Sequence, residues 1–304
     1  MKKETLLTVL LTCSASSVFA QFEGSRAFTF KENNNHVVQL QKSGGSAGKH
    51  GNVKIEFYAH MAFKITSPDG LTVLIDPWRN DPTGTFGVWY PAKFPEIPVD
   101  VVLSTHAHFD HDAVYQPHAT MVLDRLAGEF KLSDVKIMGI ADKHQSQAPG
   151  EVKWDQILRD KFHVTNLAPP DNGTSWDNII YVVETGGLRI GFWGDNRPNP
   201  APGVLEGLKN LDVLIMNIDG SEHILSYAQI NGLLDQLKPK AVIPGHYLSK
   251  GAVLPSSSLK PATAWVDTQK DKVNLPSAEL LLTDKILEKA DRRVYYFGDH
   301  FKQN

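Results

Sequence analysis

From residue 53 onward, short apolar runs separated by polar breaks dominate the chain, and the spacing within each run indicates the element it forms. Residues 53–58, 62–66 and 71–75 read as three strands. The last two are joined by Ser67-Pro68-Asp69-Gly70, in which proline presets one backbone dihedral and glycine frees another. An antiparallel meander therefore opens the domain. Residues 99–105 form a further apolar run of strand length. Short helices are expected at 112–115 and 124–130, followed by a strand at 135–140. Runs at 178–184 and 188–193 flank Gly186-Gly187, the mark of a hairpin, and 213–217 reads as a buried strand. Residues 226–237 carry apolar positions at helical spacing and stop before Lys238-Pro239, after which Val242-Ile243 returns as a strand. This alternation predicts an α/β domain with two sheets sandwiched between helices, an αββα arrangement, although other α/β folds satisfy the same pattern.

The segment ahead of the domain divides in two. Met1-Lys2-Lys3, the apolar Leu6-Leu7-Thr8-Val9-Leu10-Leu11 and the small-residue zone ending at Ala20 have the layout of a secretory signal peptide over residues 1–20. Its apolar core is too short to span a bilayer, and cleavage after Ala20 is expected, which implies a periplasmic or secreted mature protein. Residues 21–50 contain Asn33-Asn34-Asn35 and Ser43-Gly44-Gly45-Ser46-Ala47-Gly48 and read as an extended arm, leaving 51–304 as the folded domain.

Composition narrows the chemistry. The only cysteine, Cys13, lies in the signal, so the mature chain has neither disulfides nor thiolate metal ligands. A length of 304 residues at 41% hydrophobic content is enough for one large core. A net charge of −3 without a basic tract argues against a nucleic-acid partner, and no run after the signal approaches a membrane span. A small-molecule substrate is the natural partner. Nothing in the composition fixes an oligomeric state.

Where the 99–105 run ends, His106-Ala107-His108-Phe109-Asp110-His111 begins, crowding imidazoles and a carboxylate into one loop. These are the ligands zinc takes when thiolates are absent. On an extended backbone His106 and His108 project to the same side, whereas Asp110 and His111 lie past the turn and face a second ion, so one segment serves two metals. Asp195, after an apolar strand and a glycine, and His246, after Ile243-Pro244-Gly245, are further donors at strand ends. Asp195 also reads as a turn cap, and His246 as a buried, hydrogen-bonded histidine. His144 and His163, between the loop and Asp195, compete as a further donor. His144 is preferred because it follows a strand, as the other donors do, while His163 sits inside Lys161-Phe162-His163-Val164. Residues 145–177 then become an insertion that could cover the site.

His106-x-His108-x-Asp110-His111 after an apolar strand resembles the signature of the metallo-β-lactamase fold hydrolases. Leu71-Thr72-Val73-Leu74-Ile75-Asp76-Pro77 is similar to the early strand ending in a buttressing aspartate, and Phe192-Trp193-Gly194-Asp195-Asn196 to the strand end that supplies a bridging carboxylate. Ala241-Val242-Ile243-Pro244-Gly245-His246-Tyr247 is similar to the strand that delivers the last histidine. The pattern most resembles the branch of ascorbate-6-phosphate lactonase and N-acylphosphatidylethanolamine phospholipase D, with Ala59-His60 standing where that branch has Gly-His.

The resemblance implies an αββα four-layer sandwich and a binuclear hydrolase whose metal-bound hydroxide cleaves an ester, lactone or phosphodiester bond. His106, His108 and His144 would hold one ion, Asp110, His111 and His246 the other, with Asp195 between them. Two divalent ions are expected, zinc by default and manganese or iron as substitutes. Asp110 would also carry a proton to the leaving group, and Asp76 would orient a ligand histidine. His60, His223 and Trp89 are candidate substrate contacts, and Trp78, Phe86 and Tyr90 candidate walls of an apolar pocket; a structural histidine, a solvated loop residue and core packing are the competing readings. The alternatives are an iron-based oxidoreductase on the same fold, disfavoured because flavin-linked di-iron relatives carry an acidic residue where His108 stands, and a metal-binding periplasmic protein without chemistry. Nothing in the chain reads a β-lactam ring.

Overall fold

Strand β1 (Val53–Phe57) pairs antiparallel with β2 (Phe63–Thr66), and β2 with β3 (Thr72–Ile75), so the meander expected from the sequence forms. The computed structural model describes residues 49–84, 87–145, 149–150, 156, 159–160, 163, 177–250 and 258–303. The expected signal peptide and nearly all of the arm lie outside the described residues, as does most of the 145–177 insertion. β4 (Pro98–Ser104) and β5 (His118–Asp124) continue parallel to β3, and β13 (Glu279–Leu282) closes the far side of β1. The result is a six-stranded sheet in the order β13-β1-β2-β3-β4-β5.

A second sheet of eight strands holds β6 (Gly128–Leu132), β7 (Val135–Asp142), β8 (Asn178–Thr185), β9 (Leu188–Phe192), β10 (Val213–Asn217), β11 (Ala241–Gly245), β12 (Lys272–Asn274) and β14 (Arg293–Tyr296), in the order β12-β14-β11-β10-β9-β8-β7-β6. The β8–β9 hairpin turns through Gly186 and Gly187 at φ 64° and 80°, the double positive φ that a two-residue turn of this hand requires. Pro244 sits inside β11 although proline cannot donate to a ladder. It is tolerated because β14 pairs with β11 only at Ala241 and Val242.

Alternation along the strands feeds two cores. Val73 and Ile75 of β3 and Val101 and Leu103 of β4 join the main core, whereas Leu74 and Val102, one residue out of phase, join a second cluster with Trp78, Trp89, Tyr90 and Phe94. The helix Tyr227–Leu237 buries Ile230, Leu233, Leu234 and Leu237, the spacing of one helical face. A reciprocal Ser226–Gln229 capping box starts it, and left-handed Lys238, before Pro239, ends it.

The helices expected at 112–115 and 124–130 do not form. Asp112 is held by two hydrogen bonds from Arg79, and the following turn stops at Pro117, beyond which the chain adds to β4 as β5. Arg125 at φ 54° and Gly128 at φ 126° break any helix over 124–130, and residues 128–132 pair with β7 instead. An open sheet edge outcompetes the local preference. Among the described residues no helix is long and apolar enough to cross a membrane.

β1 and β3 run in the same direction as each other, with β4 parallel to β3; in the second sheet β7, β9, β10 and β11 likewise share one direction. Their carboxyl ends therefore collect on one edge of the sandwich, which is where side chains at the ends of strands from both sheets meet.

Candidate metal centre

Every donor in the centre follows the carboxyl end of one of these strands. Several do so through a left-handed residue that turns the chain sharply out of the sheet: His60 after β1 (φ 56°), Asp76 after β3 (φ 50°), Gly194 after β9 (φ 60°) and His246 after β11 (φ 60°). Non-glycine residues in this region are strained, and such strain concentrates at functional sites. Gly194 cannot be replaced, because a Cβ there would lie 2.8 Å from Asn178 Oδ1 and 2.9 Å from Thr105 Cβ. Its bareness lets the end of β9 close on the start of the histidine loop, bringing Asp195 beside His106. The two sheets are also tied by the His246 amide, which donates to the His60 carbonyl at 2.7 Å.

The side chains fall into two sets. His106, His108, His144 and Asp195 place one ligand atom each within 4.8 Å of one another, and so do His60, Asp110, His111 and His246. Asp195 connects them, with its oxygens 3.8 Å from His106 Nε2, 3.5 Å from His111 Nε2, 3.6 Å from His144 Nε2 and 3.4 Å from His246 Nε2. Asp110 Oδ2 lies 3.7 Å from His111 Nε2 and 3.8 Å from His246 Nε2. His163 is exposed, so of the two competing histidines it is His144 that the fold brings to the others.

Each imidazole is aimed from behind. Asp76 accepts from the Thr105 amide and hydroxyl, both at 2.7 Å, and its Oδ2 meets His111 Nδ1 at 2.8 Å. Thr105 Oγ1 lies 3.0 Å from His106 Nδ1, and the Gln145 carbonyl 2.7 Å from His144 Nδ1. With Nδ1 engaged, Nε2 of His106, His111 and His144 is turned inward, the tautomer control that metal sites use. His108 faces the centre differently, with its Nδ1 3.1 Å from His106 Nε2.

The inward atoms fit a cation better than they fit each other. Nε2 of His111, His144 and His246 is buried with no hydrogen-bond partner among the described residues. Donors sharing a tetrahedral ion at about 2.1 Å sit about 3.4 Å apart, close to the spacings around Asp195. The set is all nitrogen and carboxylate, which suits zinc, manganese or iron.

Electrostatics agree. Burial alone would raise Asp195 and Asp110, but the surrounding histidines hold both well below the usual carboxylate range. Burial would lower His111, yet Asp195, Asp110 and Asp76 raise it to about 10. Burial, helped by His246, lowers His60 to about 3. The metal-free chain should therefore lose stability on both sides of neutrality. Below 6.5, the ordinary histidine value, the unfolded chain takes up a proton that folded His60 refuses until about 3, so stability falls with pH across that window. The contribution of His111 is complete below 6.5 and is lost as pH rises through about 10. Thermal melts in chelator from pH 4 to pH 10 should trace a dome, and melting temperatures that climb steadily toward acid would contradict this assignment of charges.

Other candidates take varied places. His60 is fully buried in the second donor set, its Nε2 3.0 Å from Asp110 Oδ2 and its ring 4.1 Å from that of His246. Half-buried His223 lies parallel to His246 at 5.7 Å, its amide donating to Asp219. Trp89 is buried edge-on against Phe109, between His108 and Asp110 in sequence, and belongs to the second apolar cluster. Trp78 stacks on Tyr90 in the same cluster, and Phe86 lies outside the described residues. Sequence reasoning missed Asn217, whose Nδ2 donates to Asp195 Oδ1 at 2.6 Å. The signal was there: a polar residue closes the apolar run at the end of β10, beside β9 and β11.

Comparison with known proteins places this geometry in context. Residues 54–246 match the beta-lactamase superfamily domain. A UPF0173 metal-dependent hydrolase of Thermodesulfovibrio yellowstonii is 43% identical over 219 residues, 65% of this chain and 79% of the relative. Another from Myxococcus xanthus is 27% identical over 212 residues, 66% of this chain and 73% of the relative. A solved structure from Thermotoga maritima, assigned to the Zn-dependent hydrolases of the metallo-beta-lactamase superfamily, aligns with a TM-score of 0.54 at 22% identity, covering 80% of this chain and 97% of the other; at that identity the likeness is one of fold.

Proposed function

The chain belongs to the beta-lactamase superfamily, among its metal-dependent hydrolases, and on that premise we propose that it is an exported binuclear enzyme that hydrolyses an ester, lactone or phosphodiester bond of a small molecule. The observation that carries the reading is the pair of donor sets with Asp195 between them, and inward imidazole nitrogens that have no hydrogen-bond partner among the described residues. His106, His108 and His144 would hold one ion, and Asp110, His111 and His246 the other. Divalent cations bound there supply Lewis acidity toward the scissile carbonyl or phosphoryl oxygen and acidify water toward neutral pH.

The chain's own residues complete the chemistry. Asp110 is held ionised by its histidine neighbours and oriented by His60 Nε2, so its carboxylate can accept the proton of attacking water and return it to the leaving group. Buried Asp76 and Thr105 keep the loop histidines in register. His223, beside His246 and only half-buried, is the candidate substrate contact. Zinc is the expected ion, with manganese or iron as competitors set by availability. Export rests on the basic and apolar layout of residues 1–20.

The test is hydrolysis of a panel of esters, lactones and phosphodiesters by metal-loaded protein, before and after chelation. Turnover on at least one class should disappear with chelator and return with zinc or manganese. Turnover indifferent to chelation, or none on any class, counts against the reading.

A further inference from the structure

Tyr90 is a buried phenol that the fold holds rigidly and leaves unsatisfied. The residue is 1% exposed, and its hydroxyl has no hydrogen-bond partner among the described residues. Its ring stacks on Trp78 at 4.0 Å and 14°, and Trp78 is itself pinned by donating to the Tyr58 carbonyl. Asn80 clamps the backbone on both sides, accepting from the Tyr90 amide and donating to the Tyr90 carbonyl, each at 2.8 Å. Two other fully enclosed tyrosines are satisfied: Tyr181 donates to the Ser104 and Leu123 carbonyls, and Tyr247 to that of Gly298. A phenol buried without a partner costs stability, and a fold that holds one so firmly has a use for it beyond packing.

Its position indicates the use. The Tyr90 ring meets that of His60 edge-on at 5.9 Å, and His60 in turn contacts Asp110 at 3.0 Å. A phenol is protonated at neutral pH, so the Tyr90 hydroxyl has a proton to donate. We propose that Tyr90 is a binding residue of the centre, its hydroxyl donating a hydrogen bond to an anionic oxygen of the molecule held beside Asp110. Donation to an oxygen that gains charge would favour the hydrolytic intermediate over the ground state. The proposal rests on the hydrolase reading for the identity of that oxygen, and on geometry alone for the presence of a donor.

Tyr90→Phe removes the hydroxyl and keeps the ring, and the control Tyr181→Phe removes a hydroxyl that has partners. Inorganic phosphate serves as the probe, titrated calorimetrically into zinc-loaded protein of measured metal content. Tyr90→Phe should bind phosphate roughly tenfold more weakly at unchanged zinc content, the loss of one charge-assisted hydrogen bond. It should melt no lower than wild type, whereas Tyr181→Phe should melt lower with phosphate affinity unchanged. Phosphate binding equal in Tyr90→Phe and wild type overturns the proposal, including the case in which neither binds. The hydrolase reading is judged separately by chelator-sensitive turnover of the wild type; where that is found, Tyr90→Phe should lower kcat more than it raises KM.

Discussion

Asp195→Ala is expected to lose metal at both donor sets and, with it, turnover. This carboxylate is the group that approaches Nε2 of His106, His111, His144 and His246 within 3.8 Å, so its removal takes an anion from each set. Residues that merely orient a ligand typically cost 10- to 100-fold in metal affinity or activity, and a shared ligand should exceed about a hundredfold. Asp195→Asn should behave almost as badly, because an amide of the same shape carries no charge to neutralise a cation. Metal content and kcat/KM measured together decide the point, and near-normal zinc with near-normal turnover in either variant would remove Asp195 from the centre. Asn217→Ala, which takes away the bond to Asp195 Oδ1, should fall between wild type and these variants.

Asp76→Ala should produce the largest loss of stability among substitutions at the site. Asp76 is fully buried and accepts from the Thr105 amide and hydroxyl while its Oδ2 engages His111 Nδ1. Alanine leaves those groups without their acceptor in a fully buried setting, a loss of about 3–5 kcal/mol by analogy with broken buried pairs. For a domain of this size that lowers the melting temperature by roughly 10 °C. Zinc affinity should also fall about 10- to 100-fold, because the His111 ring is no longer aimed. Thermal melts with and without zinc separate the two effects. A melting temperature within a degree or so of wild type would show that Asp76 does not brace the loop.

The sequence revealed the parts of this site that follow a local rule, and hid those that depend on which elements become neighbours. The β1 to β3 meander and the β8–β9 hairpin were legible because alternation and turn residues are written in adjacent positions. Asp76, Asp195 and His246 were legible because each follows an apolar run of strand length, and the same rule favoured His144 over the exposed His163. Residues 124–130 carry good helix formers, yet they are divided between two sheets, because β4 and β7 offer open edges that no local pattern reports. His60 reaches the donors through the left-handed turn at Ala59-His60, and Asn217 through the side-by-side packing of β9, β10 and β11. For Trp89 the sequence left pocket wall and core packing open, and the fold buries it in the second apolar cluster.

We propose that two sets of side chains share one carboxylate and hold a pair of ions. Metal quantification on zinc-reconstituted protein, freed of loosely bound ion by gel filtration, tests it most directly. About two zinc ions per chain are expected in the wild type, in line with two-metal hydrolytic centres, with a marked loss in Asp195→Ala. A wild-type ratio near zero, or a ratio unchanged by removing Asp195, would contradict it.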